Sequence, residues 1–600
     1  MQRGSYPFPW RALCGATLLY SILQITFLGL AAIGGSTEAR EAQVVETILR
    51  EGEWILPLRN GIIPSKPPLF HWVAALLSIL LGGVSEFSVR LPSHLFAVGV
   101  LVCCALSAYR LACLSRTAES EVHCKRVALL AAAILSLTYG FHQLATQAMV
   151  DMSFSFCVWG AIASLLWSNS RDWAAGDGLS WQNRALFWVF CAGGVLARGP
   201  LGIALPILLV GAVGLRLTGW RVVIRELLRP SLGWLAFLAP IAWYCAACMR
   251  GGEGFIERQL LFENVQRFIG GSRVNTKGWL FYIPSLLRTT FPWGALMVLG
   301  LFAVQRRLKT VSYPYAAARF ATAPFVALLA GVIFFSLSSG KRHSYMLPLL
   351  PLVAIQVALI FSQSMERSGA RLPQLIWSGA RQAERGLIVT VLLLLTATCG
   401  AWYGDWSSHP LEDLLKFEVQ SSVMRLGVVM VLAAMSAMVL RNKAPQMRYA
   451  TLWILMMVIL TTTISFGSVV KSKLRGFESM GEKIRLLANE QQTLAFIKEP
   501  HDEYFDPILF YLHKPVTILP ETNGLAACDP NVVYVARREW FSEFVPHLPG
   551  AIRELASLQE TLHALNRDGV REVVVFTCNA TALQNGVIGA AWQEAALRPI

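Results

Sequence analysis

Apolar runs of about 20 residues recur along the first three quarters of the chain, from residues 13–33 to residues 450–470, each long enough to cross a hydrocarbon core of roughly 30 Å as a helix. About thirteen such runs fit before residue 475 or so. The first, preceded by Arg3 and Arg11, has the length of an uncleaved first helix and not of a signal peptide. Between it and the next the pattern changes. Residues 36–72 read STEAREAQVVETILREGEWILPLRNGIIPSKPPLFHW, a polar stretch with four prolines. Val44, Val45, Ile48 and Leu49 recur there at the spacing of a short amphipathic helix over residues 38–50. Ser36 or Thr37 is placed to cap it, and Glu38 and Glu41 fall in the first turn, where acids suit the helix dipole. Pro64, Pro67 and Pro68 then break the chain. The apolar run that opens with Leu69, Phe70 and Trp72 is only about 14 residues long before Gly82 and Gly83, too short to span, and predicts a second helix lying in the interface.

Past residue 475 the periodicity is that of a soluble domain. Helix-like stretches over residues 480–497 and 551–566 separate strand-like PILFYL, NVVYVA and EVVVF, which predicts a small α/β domain. The expected architecture is an α-helical polytopic membrane protein over residues 1–475, followed by a small extracytoplasmic α/β domain over residues 476–600. No internal repeat or low-complexity segment interrupts it.

Composition agrees with this pattern and adds direction. The chain is 55% hydrophobic and only 15% charged, outside the range of soluble domains. Its net charge of +15 is unevenly placed. Arg110, Arg116, Lys125 and Arg126 fall in one loop, Arg216, Arg221, Arg225 and Arg229 in another, and Arg306, Arg307 and Lys309 in a third, all alternate loops if the N-terminus is cytoplasmic. Lys and Arg gather on the cytoplasmic side of membrane proteins, so a nucleic-acid partner is not needed to account for the charge. The twelve cysteines fall mostly within apolar runs, as Cys103, Cys104, Cys157 and Cys191 do, where they pack as small hydrophobes. Cys528 and Cys578 are candidates to pair in the external tail.

Five segments in register resemble a known family: TEAREAQVVETILREGEWILPLRNG followed by KPPLFHW, QAMVDMSF, LARGPLG, FENVQRFIGG and SSGKRHSYMLPLLP. They are similar to the motifs of GT-C membrane glycosyltransferases of the aminoarabinose (lipid A) transferase and protein mannosyltransferase type. The resemblance implies a sugar donor carried on a polyprenyl phosphate, an acceptor that is a lipid A-like glycolipid or a protein, and a place in the bacterial inner membrane with the C-terminal domain in the periplasm. Family members commonly have Asp-Glu where this chain has Thr37-Glu38, so the aspartate usually credited with activating the acceptor is missing.

Breaking a C1–phosphate bond needs positive charge on the leaving group and one base at the acceptor hydroxyl, unlike glycoside hydrolysis, which also demands an acid. The candidate catalytic carboxylates are Glu38 and Asp151, acids at span boundaries that are costly unless they face a cavity or partner. Lys66, Arg198, Arg267, Lys341 and Arg342 are the candidate ligands of the donor phosphate, because outward-facing cations run against the charge bias and suit phosphate oxygens. Arg40, Glu263, His343 and Tyr345 are candidate substrate contacts. Trp54, Trp72, Trp279 and Trp293 read as interface-belt residues, and Pro67, Pro68, Gly199 and Pro200 as shapers of backbone. No metal-ligand spacing is present, so no metal cofactor is expected, although relatives with pyrophosphate donors use a divalent cation. A transporter of an anionic envelope lipid or glycan is the alternative reading. It would call for related halves and charges near the bilayer midplane, whereas the charges here lie at the outer boundary.

Overall fold

The computed structural model describes residues 7–114, 121–167, 180–217, 219–266, 269–270, 277–294, 296–298, 315–366, 445–488, 492–498, 505–520, 529, 531–544, 553–560 and 571–578. Its first part is a helical bundle. Helix α1 (Trp10–Ile25) leads to the surface helices α2 (Ser36–Glu51) and α3 (Leu69–Leu80), then to α4 (Glu86–Leu114), α5 (Glu121–Ser136), the short α6 (Tyr139–Leu144) and α7 (Val150–Leu166). After these come α8 (Trp181–Arg198), α9 (Leu201–Leu217), α10 (Trp220–Leu228), α11 (Leu238–Phe255), α12 (Tyr282–Thr289), α13 (Tyr315–Leu337), α14 (Leu350–Glu366) and α15 (Pro445–Arg475). Among the described residues, Glu86–Leu114, Leu232–Gln266 and His343–Ser362 are long and apolar enough to cross a membrane, and Leu69–Leu80, Val150–Leu166, Leu201–Leu217, Thr322–Leu337 and Met456–Val469 are shorter apolar helices. The spans expected within residues 367–444 lie outside the described residues.

Helix α7 is the centre of the bundle. It is buried along its whole length, packs between α4 and α8, and carries Trp159, whose indole N–H donates to the Pro348 carbonyl at 2.8 Å. Apolar residues all round are what such a position requires. Leu18, Ile22, Leu215, Leu235 and Ile241, on the periphery, are well exposed, as side chains that face lipid should be.

Helix α2 is amphipathic as its spacing predicts, with Val44, Val45 and Ile48 buried beside Phe70, Ala74 and Ala75 of α3. The cap differs from expectation. Gly35 precedes the first turn and no side chain caps it, because Ser36 and Thr37 are already inside the helix. Gly52 ends it at φ 68°, a left-handed turn that glycine adopts without strain.

The tail folds as a mixed five-stranded sheet of order β2-β1-β3-β5-β4, made of β1 (Thr493–Ile497), β2 (Val516–Leu519), β3 (Val532–Arg537), β4 (Arg553–Glu560) and β5 (Arg571–Thr577). Strand β1 runs parallel to β2 and β3, while β5 is antiparallel to β3 and β4. Helices α16 (Phe477–Leu487) and α17 (Asp506–Leu512) cover one face through Phe477, Met480, Ile484 and Ile508, and α18 (Arg538–Phe544) covers the other through Trp540 and Phe541.

Three expectations for the tail are corrected. PILFYL lies in helix α17, which begins at Asp506 and has Pro507 in its first turn, where a proline has no helical amide bond to lose. The helix expected over residues 480–497 stops at Leu487 and gives way to β1, and residues 553–560 of the second expected helix are strand β4. Pairing with β5 overrides local helix preference there. Cys578 is disulfide-bonded, and Cys528 lies outside the described residues.

Candidate functional site

Residue Glu38 opens the wall that α2 forms. Its carboxylate accepts from Arg90 Nε at 2.7 Å, from a second guanidinium nitrogen at 3.3 Å and from the Ala148 backbone N–H at 3.0 Å. Arg90 also donates to the Leu28 and Ala31 carbonyls. Glu38 and Arg90 are both buried. One residue pair thus ties the end of the first helix, α2, α4 and the segment before α7 together. Both Glu38 oxygens face the Arg90 guanidinium, and the pair clasps these segments together.

The cleft is lined by other residues. It encloses about 230 Å³ and is lined by Ser65, Lys66 and Pro67, by Arg198 to Leu201, by Tyr244, Gln259, Glu263 and Asn264, and by Phe334, Ser338, Gly340 and Tyr345. Lys66 and Glu263 face each other at 2.5 Å. Asp151 enters from the first turn of α7 and pairs with Arg198 at 2.7 Å. The Arg198 guanidinium also lies over the Tyr345 ring at 4.6 Å and near the Phe154 ring at 5.6 Å. An arginine so packed keeps its plane fixed while its charge stays available to an anion.

The turn between α8 and α9 makes this possible. Gly199 stands at φ 66°, ψ −147°, open to glycine alone. A Cβ there would come within 3.2 Å of Asn264 Oδ1 and 3.3 Å of the Tyr244 hydroxyl. Gly194 and Gly202 pack backbone to backbone where α8 and α9 meet, and this close contact explains why LARGPLG is rich in glycine.

Of the sequence candidates, the cleft brings together Lys66, Arg198, Glu263 and Tyr345, with Asp151 bound to Arg198. The others separate from it. Lys341 is buried, and its Nζ donates to the carbonyls of Ser338 at 2.6 Å and Lys277 at 3.2 Å. The ammonium is thus held by its own loop and by the Lys277 carbonyl. Arg342 does not line the cleft; its carbonyl accepts from the Tyr345 N–H at 3.2 Å. His343 Nδ1 is 2.9 Å from the Ser285 hydroxyl and its ring packs on Phe281, on the α12 side. Arg40 donates to Thr37 Oγ1 at 3.3 Å and lies 3.7 Å from Asp506 in the tail. Arg267 lies outside the described residues.

Several residues escaped sequence reasoning. Tyr244 places a buried hydroxyl in the cleft wall, without a hydrogen-bond partner among the described residues. Glu41 and His71 form a buried pair at 2.6 Å. Asp506, 1% exposed, gathers Arg59 at 2.8 Å, Lys498 at 3.2 Å and Arg40, and its carbonyl accepts from Gln43. Burial lowers the Lys498 ammonium's pKa, and the Asp506 charge only partly offsets the effect. The Glu41 and His71 pairing had a signal, two polar residues on the inner faces of consecutive amphipathic segments. The Asp506 contact had none, since more than 440 residues of chain separate it from Arg59. Among the described residues no cluster of three or more His, Cys, Asp or Glu could hold a metal ion.

No family model matches the chain. It is 26% identical over 351 residues to the undecaprenyl phosphate-alpha-4-amino-4-deoxy-L-arabinose arabinosyl transferase of Shewanella sediminis, a match covering 57% of this chain and 58% of that protein. It is 28% identical over 442 residues to the protein of the same name from Pseudomonas aeruginosa, covering 68% of this chain and 73% of that one. The chain therefore spans less than two thirds of the Shewanella relative. Among solved structures, ArnT from Cupriavidus metallidurans bound to undecaprenyl phosphate superposes with a TM-score of 0.67 at 17% identity, covering 95% of this chain and 98% of that one. Its apo form gives 0.66 at the same identity. In sequence the chain is thus similar to the aminoarabinose transferases, and its fold, mostly helical with a small C-terminal sheet, is similar to that of ArnT.

Proposed function

We propose that the protein is an inner-membrane glycosyltransferase that takes a sugar, 4-amino-4-deoxy-L-arabinose in the first instance, from undecaprenyl phosphate and places it on a lipid A-like glycolipid facing the periplasm. The observation that carries this reading is the cleft in which Lys66 and Arg198 converge under Tyr345, in a fold whose solved counterpart was crystallised with undecaprenyl phosphate. When the C1–phosphate bond breaks, the electron pair leaves on a phosphate whose negative charge grows. Two cations fixed by Glu263 and Asp151 meet that charge without reorganising, which is how preorganised electrostatics lower a barrier. Arg198, with its donors in a rigid fork on an aromatic face, suits two phosphate oxygens, and Lys66 acts as a point charge. The apolar walls from Leu201 and Phe334 suit the first isoprene units of the carrier. The basic loops support a cytoplasmic N-terminus and a periplasmic tail.

The test is transfer from undecaprenyl phosphate-linked aminoarabinose to lipid A by the purified chain in detergent or vesicles, read by mass spectrometry. Transfer by the parent, and its loss by about 100-fold or more in Arg198→Ala, is the expected result. No transfer by the parent to lipid A overturns the reading, and transfer to a protein instead redirects the acceptor.

A further inference from the structure

We propose that α10 and the arginines around it form a docking surface for anionic phospholipid head groups, at the end of the helical bundle opposite the cleft. The inference stands apart from the glycosyl-transfer reading and does not need it.

Helix α8 runs for 18 residues from Trp181 to Arg198, and α9 returns for 17 from Leu201 to Leu217, lengths of about 27 and 26 Å at the helical rise. Arg198 and the turn between the two helices line the cleft, so the start of α8 and the end of α9 lie roughly one hydrocarbon thickness away from it. Helix α10 sits at that far end. Its Val223, Glu226 and Leu227 share a small recess with Leu165 from the end of α7 and with Arg184 and Phe187 from the first turns of α8.

The two faces of α10 differ. Val223 and Glu226 are buried, whereas Arg221, Ile224, Arg225 and Leu228 are exposed. At about 100° per residue these four fall on one arc, in the order Ile224, Leu228, Arg221, Arg225. One flank of the exposed face is thus apolar and the other basic. Ile224 is 47% exposed and Leu228 71% exposed. Such a face suits a helix lying flat in the interface, with its apolar flank at the acyl boundary and its guanidiniums at the depth of the phosphates. Leu232, Trp234 and Leu235 continue the exposed apolar surface, and tryptophan favours that same layer. The bias of Lys and Arg towards one side of the membrane accounts for arginines in this loop. It does not account for their sharing a face with bare Ile224 and Leu228.

Charge selects the occupant. Residues 216–236 contain Arg216, Arg221, Arg225 and Arg229 and a single acid, Glu226. Glu226 lies 3.5 Å from Arg225 and 3.4 Å from Arg229, yet the side chains of both arginines remain 48% and 42% exposed. One inward-turned carboxylate does not offset two guanidiniums, so the described surface stays cationic. A guanidinium takes two phosphate oxygens at once. An anionic phospholipid such as phosphatidylglycerol brings those oxygens to this depth with a net negative charge, while phosphatidylcholine brings the same phosphate with an ammonium that cancels it.

The experiment titrates the full chain in uncharged detergent micelles with fluorescent phosphatidylglycerol, and with phosphatidylcholine of the same acyl chains. Each arginine at an anionic lipid surface contributes about fivefold in affinity. The parent should therefore prefer phosphatidylglycerol by about tenfold or more, and the triple variant Arg221→Gln, Arg225→Gln, Arg229→Gln by about threefold or less, with phosphatidylcholine affinity unchanged within about threefold. Equal binding of the two lipids by the parent overturns the proposal, as does an undiminished preference in the triple variant. If the triple variant does not fold, the single variants Arg221→Gln and Arg225→Gln, both at exposed positions, decide instead, and an undiminished preference in both overturns it. The readout is lipid binding, so it decides this proposal whether or not the chain transfers a sugar.

Discussion

Arg90 shows how much one side chain can hold. Its guanidinium satisfies the Leu28 and Ala31 carbonyls left open where the chain departs from the first helix, and neutralises a buried acid on α2. Arg90→Ala strands the Glu38 charge, and breaking one side of a buried pair costs about 3–5 kcal/mol. Thermal unfolding in detergent should show the loss. Glu38→Gln should likewise act on folding, with kcat per folded molecule changed less than about tenfold. Motif spacing flagged Glu38 but not its partner, because nothing local in the sequence tells an acid that meets substrate from one that meets an arginine 52 residues away.

At the scale of elements, the α8–α9 turn deserves the closest test. The left-handed Gly199 lets the chain fold back so that Arg198 ends α8 inside the cleft while α9 leads away. Gly199→Ala should cost about 1–3 kcal/mol in backbone strain and push Tyr244 or Asn264 aside, which a drop in undecaprenyl phosphate affinity without loss of the bundle would reveal. The helices were largely legible, since membrane spans and the two surface helices announce themselves by length and period. The tail was less so. Its strand β4 and helix α17 owe their form to partners far off in sequence, Val573 to Val575 for the first and the α2 face for the second. For the cleft, sequence picked out Lys66, Arg198, Glu263 and Tyr345 because motifs recur in order. Lys341, from the same motifs, turns its ammonium back onto its own loop.

At the scale of the whole molecule, the soluble domain and the bundle are joined through α2. Phe510 and Tyr511 pack among Val44, Val45 and Ile48, and the Tyr511 hydroxyl accepts from the Ile33 N–H at 2.6 Å and donates to Glu86 at 3.0 Å. Nearby, His513 meets Glu46 at 3.1 Å, and the hydrogen bond to Glu46 raises the imidazole above its ordinary 6.5 despite partial burial. A raised histidine supports the contact fully below its ordinary value and ceases to as pH climbs through the raised one. Hydrogen exchange across Ser36–Glu51 should therefore quicken from about pH 6 to pH 9 beyond its intrinsic trend, and His513→Gln should abolish that excess.

Because the apolar side of α2 is covered jointly by α3 and the tail, the tail cannot be regarded as an optional appendage. A shortened protein ending near Gly476 would strip Phe510 and Tyr511 from the apolar side of the helix that bears Glu38, and leave Phe70, Ala74 and Ala75 of α3 to cover Val44, Val45 and Ile48. Attempts to engineer a minimal membrane-only catalyst from this chain would therefore need a replacement lid for that helix before any substrate is offered.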